Sequence, residues 1–495
     1  MRRLCEAASR ILGGDLVRTA GTAVLAVTVL SGLSAGVASS APSDSPAGLW
    51  KGALAVGGTE LHLVFHVEGE TADSLEVTLD SPDQGAFGLA TANVAYLDRV
   101  FSFDLPVAGG TFRGVLSDPA TLSGVWSQGG SSFPLVMRKV AGKTAGASTE
   151  ASDGPNRPQT PVPPFPYGRD PVRFENRAAG LRLAGTLTLP PGEGPFPAVV
   201  LVTGSGPQDR DETLFGHKPF LVIADRLARA GVAALRYDDR GVGESEGVFG
   251  DATTRDLAAD ASAAVTFLAS RSEVDPEAIG IVGHSEGGLI GPLVALENPR
   301  VSFLVLLAGP AVRGRELLLR QNRDLAVASG MPDSLVAAID YANAALYDRV
   351  LAARDSSAIA SGVHEALVAL RGRFPPGEQA ALGLTVDRES ALIRQLTSPW
   401  IREFLAYDPA ETLKRLRLPV LALYGSKDLQ VSAELDSTAL RKACKAAEIV
   451  VFPGLNHLFQ HAQTGRVEEY GRIEETVAPE VLDRLETWIA ARARP

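Results

Sequence analysis

Gly283-His284-Ser285-Glu286-Gly287, with Ile279-Gly280-Ile281-Val282 before it and residues 289–297 after it, is the stretch on which the fold turns. The four preceding residues form a short apolar run of the kind a buried strand uses, and the run that follows reads as helix. Strand, Gly-x-Ser-x-Gly and helix make a nucleophile elbow, a sharp turn that holds a serine hydroxyl clear of the backbone. The small glycines let such a turn close without steric conflict. The same spacing recurs at Gly32-Leu33-Ser34-Ala35-Gly36, inside an apolar N-terminal run, and at Gly243-Glu244-Ser245-Glu246-Gly247, in a polar loop with no helix after it. Only Ser285 has the context of a nucleophile.

Around that turn the chain alternates between strands and helices. Residues 198–203, 232–237, 279–282, 303–308, 420–424 and 449–452 are short, continuous apolar runs, as expected of parallel strands buried on both faces. Between them, Leu257, Ala261, Ala264, Val265 and Leu268 form a stripe at helical spacing, with Thr253 and Thr254 placed to cap its start. This order predicts a mostly parallel, doubly wound α/β sheet with right-handed crossovers. One connection, between 308 and 420, is about a hundred residues long, far beyond an ordinary crossover. It is rich in helix formers and is expected to fold as a helical cap, about 311–410, over the crevice at the strand ends. The Arg313, Arg315, Arg320 and Arg323 run in it reads as a solvated helix face.

A serine hydroxyl needs an adjacent base, itself oriented by an acid. Asp428 follows the 420–424 strand in Gly425-Ser426-Lys427-Asp428, and His457 follows the 449–452 strand in Pro453-Gly454-Leu455-Asn456-His457. Ser285, Asp428 and His457 therefore arrive in the order, and in the loops, that a Ser-Asp-His triad on such a sheet requires. His461 is the second candidate for the base. An oxyanion formed at Ser285 needs two donors: the N–H of Glu286, and one from Gly204-Ser205-Gly206-Pro207, with Ser205 favoured and Gly206 next. No Lys-Ser/Thr follows that glycine loop, which sets nucleotide binding aside. Asp209-Arg210-Asp211 and Asp238-Asp239-Arg240-Gly241 stand at strand ends and read as charge-paired loop scaffolding.

The chain of 495 residues exceeds what one core supports. Residues 45–140 carry alternating patterns, such as Leu61, Leu63, Phe65 and Val67, with turn signals between them, so a small antiparallel barrel or sandwich is expected. His62 and His66 on one strand face read as solvated, not as metal ligands. Residues 141–170, rich in Gly, Ser, Thr, Ala and Pro, read as a linker, and 171–495 as the catalytic domain. Residues 1–41 combine early arginines, an uncharged apolar run and Ala38-Ser39-Ser40-Ala41. This is the pattern of a signal peptide, which implies export to the periplasm or medium; an uncleaved membrane anchor is the alternative. Only Cys5 and Cys444 are present, and Cys5 would leave with the signal, so no internal disulfide is expected. A formal net charge of −11 argues against nucleic-acid partners.

The half from about 172 to 492 resembles the α/β-hydrolase superfamily, and more narrowly a bacterial esterase group. The resemblance rests on Gly204-Ser205-Gly206-Pro207-Gln208-Asp209-Arg210-Asp211, Arg236-Tyr237-Asp238-Asp239-Arg240-Gly241 and Gly283-His284-Ser285-Glu286-Gly287-Gly288. It implies hydrolysis of small-molecule carboxylic esters, with Ser285, Asp428 and His457 as triad and with neither metal nor organic cofactor. Thr203 stands where the commonest hydrolase pattern has His. Peptidase or thioesterase activity with the same triad is the nearest alternative, and a non-catalytic binding protein on a hydrolase scaffold is the other.

Overall fold

A computed structural model describes residues 45–492, apart from 57–58, 70, 72–73, 82–85, 106–109, 129–130 and 141–155. The expected signal peptide or anchor, with Ser34 in it, lies outside the described residues, as does half of the expected linker.

The alternating segment forms nine antiparallel strands: β1 (Gly48–Val56), β2 (Thr59–Glu68), β3 (Glu76–Ser81), β4 (Ala86–Ala90), β5 (Ala92–Leu97), β6 (Val100–Leu105), β7 (Gly110–Asp118), β8 (Thr121–Gln128) and β9 (Ser131–Lys139). Their order in the sheet is β4-β3-β2-β1-β9-β8-β7-β6-β5. The two strands at the ends of that order, β4 and β5, are consecutive in sequence with only Thr91 between them. The sheet must therefore roll until its ends meet, which makes it barrel-like. Every second residue points inward. Trp50, Phe65, Phe101, Phe103, Phe112 and Trp126 fill the interior, with the Phe65 ring edge-on to Phe103 at 4.9 Å and to Phe112 at 5.1 Å. His66 Nε2–H donates to Asp80 Oδ2 across β2 and β3 at 2.6 Å, and that bond raises its pKa against partial burial.

The second sheet has eight strands, β10 (Gly168–Asn176), β11 (Leu181–Leu189), β12 (Phe196–Val202), β13 (Ala233–Tyr237), β14 (Val274–His284), β15 (Val301–Leu307), β16 (Val420–Gly425) and β17 (Glu448–Phe452). The order is β10-β11-β13-β12-β14-β15-β16-β17. From β13 to β17 all neighbours are parallel, while β10 and β11 add an antiparallel edge. Right-handed crossovers put helix α1 (Pro219–Arg229) on one face and α2 (Thr254–Leu268) and α3 (Gly287–Glu297) on the other. The chain moves from β12 to β13 on one side, then returns to β14 on the other. The loops after β12 and β14 thus flank the topological switch point, where open α/β sheets bind ligands.

The expected linker ends sooner than residue 170. Arg157 donates to the carbonyls of Phe215, Gly471 and Ile473, and Gln159 exchanges hydrogen bonds with Thr476 and Val477. A guanidinium has five donors in a rigid fork, so a single arginine ties 157 to three loop carbonyls despite the Pro-rich composition around it. The first strand of the sheet also begins at Gly168, ahead of the expected boundary at 171.

Between β15 and β16 stand helices α4 (Gly314–Ala328), α5 (Asp333–Ala352), α6 (Ser356–Arg373), α7 (Pro376–Ala381), α8 (Val386–Leu396), α9 (Pro399–Ala406) and α10 (Pro409–Leu413). They have a core of their own, in which Leu346, Val350, Val363, Leu367 and Leu405 are buried together. The arginine run of α4 is paired along the helix surfaces, Arg315 with Asp348, Arg320 with Asp324 and Arg323 with Asp340. At the root of the insert, the Ala311 N–H donates to Asp436 Oδ1 at 2.8 Å. No helix among the described residues is long and apolar enough to cross a membrane.

Two predictions follow from this packing. Phe65→Ala removes the ring at the centre of the barrel's aromatic cluster and should cost about 3–5 kcal/mol in urea unfolding. Asp436 is buried, and burial pushes its pKa from 3.8 up to about 7, with Asp428 and Glu316 adding repulsion. Its folded form therefore holds a proton that the unfolded form gives up. That stabilisation is complete below the unfolded pKa and lost as pH rises through about 7. Asp436→Asn keeps an acceptor for Ala311 and cannot titrate. The melting temperature of the wild type relative to this variant should fall between pH 5 and pH 8.

Candidate active site

The serine turn is built by close backbone contact. Val202 of β12 is in register with Gly283 of β14, and His284 with Leu307 of β15. A Cβ on Gly283 would lie 2.1 Å from the Gly287 carbonyl oxygen, and one on Gly287 would lie 2.2 Å from that of Val202. Glycine is obligatory at both. Ser285 itself sits at φ 52°, a left-handed conformation that costs a non-glycine residue on the order of 1 kcal/mol or more. The Ser285 N–H donates to the Leu307 carbonyl at 2.8 Å, locking the turn onto β15.

The structure brings Asp428 and His457 together from the loops after β16 and β17. The His457 Nδ1–H donates to Asp428 Oδ2 at 2.7 Å, and both side chains are buried. Asp428 Oδ1 accepts the backbone N–H groups of Gln430 (2.7 Å) and Val431 (2.9 Å), so the carboxylate is fully oriented. With Nδ1 bearing the hydrogen, neutral His457 keeps its lone pair on Nε2. The loop that carries it is held by Asn456, whose Oδ1 accepts the N–H groups of Leu458 and Gln460.

Ser285 and His457 line one cavity of about 350 Å³, together with Gly204, Ser205 and Glu286. Gly206, the second choice for an oxyanion donor, is not on that wall; it occupies φ 96° with open space beside it. His461 is also outside the cavity, exposed and paired with Glu475 and Glu480. The decoy Ser245 is tied into the sheet edge, its hydroxyl donating to the Asp238 carbonyl and accepting from the Ala184 N–H.

The charged strings at the strand ends form loop scaffolding. Arg210 grips Asp238 through Nε (3.0 Å) and Nη2 (2.6 Å). Asp239 accepts from the Thr203 hydroxyl and the Gln208 N–H, and Arg240 pairs with Asp260 at 2.7 Å. Arg236 is buried against Asp211. Burial raises the Asp239 pKa well above the usual carboxylate range despite its donors.

Two features of the site carry no sequence signal. The helical insert lines the cavity with Leu317, Gln321, Trp400 and Phe404, and Trp400 Nε1–H donates at 2.8 Å to the carboxyl of Glu286, the residue after the serine. The Thr254 hydroxyl donates to the same oxygen at 2.5 Å. Burial raises the Glu286 pKa, and these donors only partly oppose it. The other feature is Glu212. Its Oε1 accepts the Gly204 N–H at 2.8 Å and faces His284 Nδ1 at 2.8 Å, while His284 Nε2–H donates to the His457 carbonyl at 3.1 Å.

Residues 219–375 match a family model described as serine aminopeptidase, S33. Esterase EstD of Thermotoga maritima is 29% identical over 328 residues, covering 65% of this chain and 68% of that protein. Thiohydrolase apmlB of Arthrinium phaeospermum is 33% identical over 127 residues, 26% of this chain and 38% of its own. Among solved structures, the α/β hydrolase GrgF from Penicillium sp. sh18 aligns over 66% of this chain and 99% of that one, at 18% identity and a TM-score of 0.41. The strand order and the strained serine turn at the switch point accompany the likeness in sequence to esterase EstD and to the S33 family model, and together they support reading the chain as a hydrolase of the α/β type.

Proposed function

We propose that this hydrolase is an exported serine esterase that works through Ser285, His457 and Asp428. The observation that carries the reading is the buried 2.7 Å hydrogen bond from His457 to Asp428, with His457 sharing a cavity wall with a serine in a left-handed turn. His457 Nε2 takes the Ser285 hydroxyl proton as the oxygen attacks the ester carbonyl. The N–H groups of Glu286 and Ser205 receive the oxyanion. When the tetrahedral intermediate collapses, the C–O bond to the alcohol breaks and His457 returns the proton to the leaving oxygen. Water, deprotonated by His457, then releases the acid from Ser285. Asp428 holds the imidazole in the required tautomer and stabilises its cation without taking the proton. The insert acts as a cap, and its Leu317, Trp400 and Phe404 offer an apolar wall to the acyl chain.

Ser285→Ala should reduce turnover of p-nitrophenyl esters by at least about a thousandfold, and Asp428→Asn by on the order of 10⁴-fold, in each case with the fold intact by circular dichroism. Native-level turnover in the purified Ser285→Ala protein sinks the assignment of Ser285 as nucleophile, and failure of a phosphonate probe to label Ser285 returns the chain to the class of non-catalytic binding proteins. An ester series from acetate to decanoate tests the cap. Trp400→Ala should raise KM for the long esters more than for acetate, since it removes apolar wall and leaves the triad in place.

The match of 219–375 to a serine aminopeptidase model and the likeness to a thiohydrolase favour a second reading, in which the same triad cleaves an amide or a thioester. Parallel assays with an ester, a thioester and an aminoacyl amide of one acyl group decide between them.

A further inference from the structure

We propose that Glu212 and His284 form a buried carboxylate–imidazolium pair that positions both the oxyanion loop and the catalytic base against Ser285. The proposal rests on the triad reading above and adds two positioning residues to it.

The argument is one of donors and acceptors. His284 Nε2 lies 3.1 Å from the His457 carbonyl oxygen; a carbonyl cannot donate, so Nε2 bears a hydrogen. Nδ1 lies 2.8 Å from Glu212 Oε1, and that oxygen already accepts the Gly204 N–H at 2.8 Å. A hydrogen on Nδ1 as well satisfies every partner, and it makes the ring a cation beside a carboxylate. Both side chains are at least nine-tenths buried, with Phe220, Ile223, Leu307 and Phe459 around them. An uncompensated charge there would be very costly, so each partner requires the other. The titratable groups facing His284 are Glu212, His457 and Asp428, and Asp239 lies beyond Glu212. Burial opposes charge on the ring, but Glu212 and the His457 carbonyl outweigh it, and its pKa is raised.

The pair ties two loops, those of Gly204 and His457, to the end of β14. Glu212 holds Gly204, next to the Ser205 donor. His284 is the residue before the nucleophile, and its Nε2–H holds the backbone of the base. The two imidazole rings lie 4.8 Å apart, centroid to centroid. Glu212→Gln is nearly isosteric yet cannot replace the carboxylate. One atom must accept from both Gly204 and His284, and an amide oxygen can do so only beside an unpaired buried cation.

Nitrogen-15 NMR of the histidine rings in the full-length wild-type protein tests the first half without reference to activity. His284 should show two ring N–H groups at pH 6 and still at pH 8.5. A single N–H at either pH overturns the pair. Steady-state kinetics of Glu212→Gln on a p-nitrophenyl ester test the second half: kcat should fall by tenfold or more with KM within about twofold, and His284 should lose one ring N–H. An unchanged kcat overturns the positioning role. Turnover that survives in Ser285→Ala would sink the triad reading while leaving the NMR result standing, so the two failures are separable.

Discussion

The left-handed backbone of Ser285 is a local cost that only its surroundings can sustain. Gly283 and Gly287 allow β14, the helix after it and the end of β12 to approach within distances that no Cβ would tolerate. Because those contacts are backbone to backbone, the register of the parallel strands and the orientation of the serine are one variable. A slip of β14 against β12 would move Ser285 away from Gly204, Ser205 and His457, with which it shares a cavity wall. The order β13-β12-β14 therefore does more than place a crevice; it fixes the height at which the hydroxyl emerges from the sheet.

Around that serine the site is assembled from buried charges that complete one another. Asp428 has two backbone donors and a histidine, and Glu212 has an amide and a histidine. Glu286 has a threonine and a tryptophan on one oxygen, and the Ser205 side chain also acts on its carboxyl. Glu286 differs from the other two in that one of its donors arrives from the insert. The position of α9 and the state of the carboxyl beside Ser285 are thereby coupled through a single indole N–H.

What could be read from sequence followed from locality. Asp428 and His457 each follow a continuous apolar run, so the strand and the loop after it are visible together. The barrel was legible through period-two burial, as in Leu63, Phe65 and Val67. The β10–β11 hairpin was not read as part of the sheet, because an antiparallel edge lacks the unbroken apolar run of a central parallel strand. Glu212 stands one residue beyond Asp209-Arg210-Asp211 and looks like one more loop charge; its role depends on a histidine 72 positions away. Trp400 and Glu286 are 114 positions apart, and no periodicity records such a meeting.

The β1–β9 pairing has a mechanical meaning. Trp50 is opposite Lys139, Lys51 opposite Arg138 and Gly52 opposite Met137, and the strands run antiparallel, so the chain enters and leaves the barrel at the same rim. Tension between the residue before β1 and the residue after β9 would act on one rung of this short ladder at a time, peeling it like a zipper where a sheared ladder would resist with all rungs at once. The pairing of the first strand with the last is then the one that opens first under load, and the aromatic interior, anchored on β2, β6 and β7, would unravel only after it.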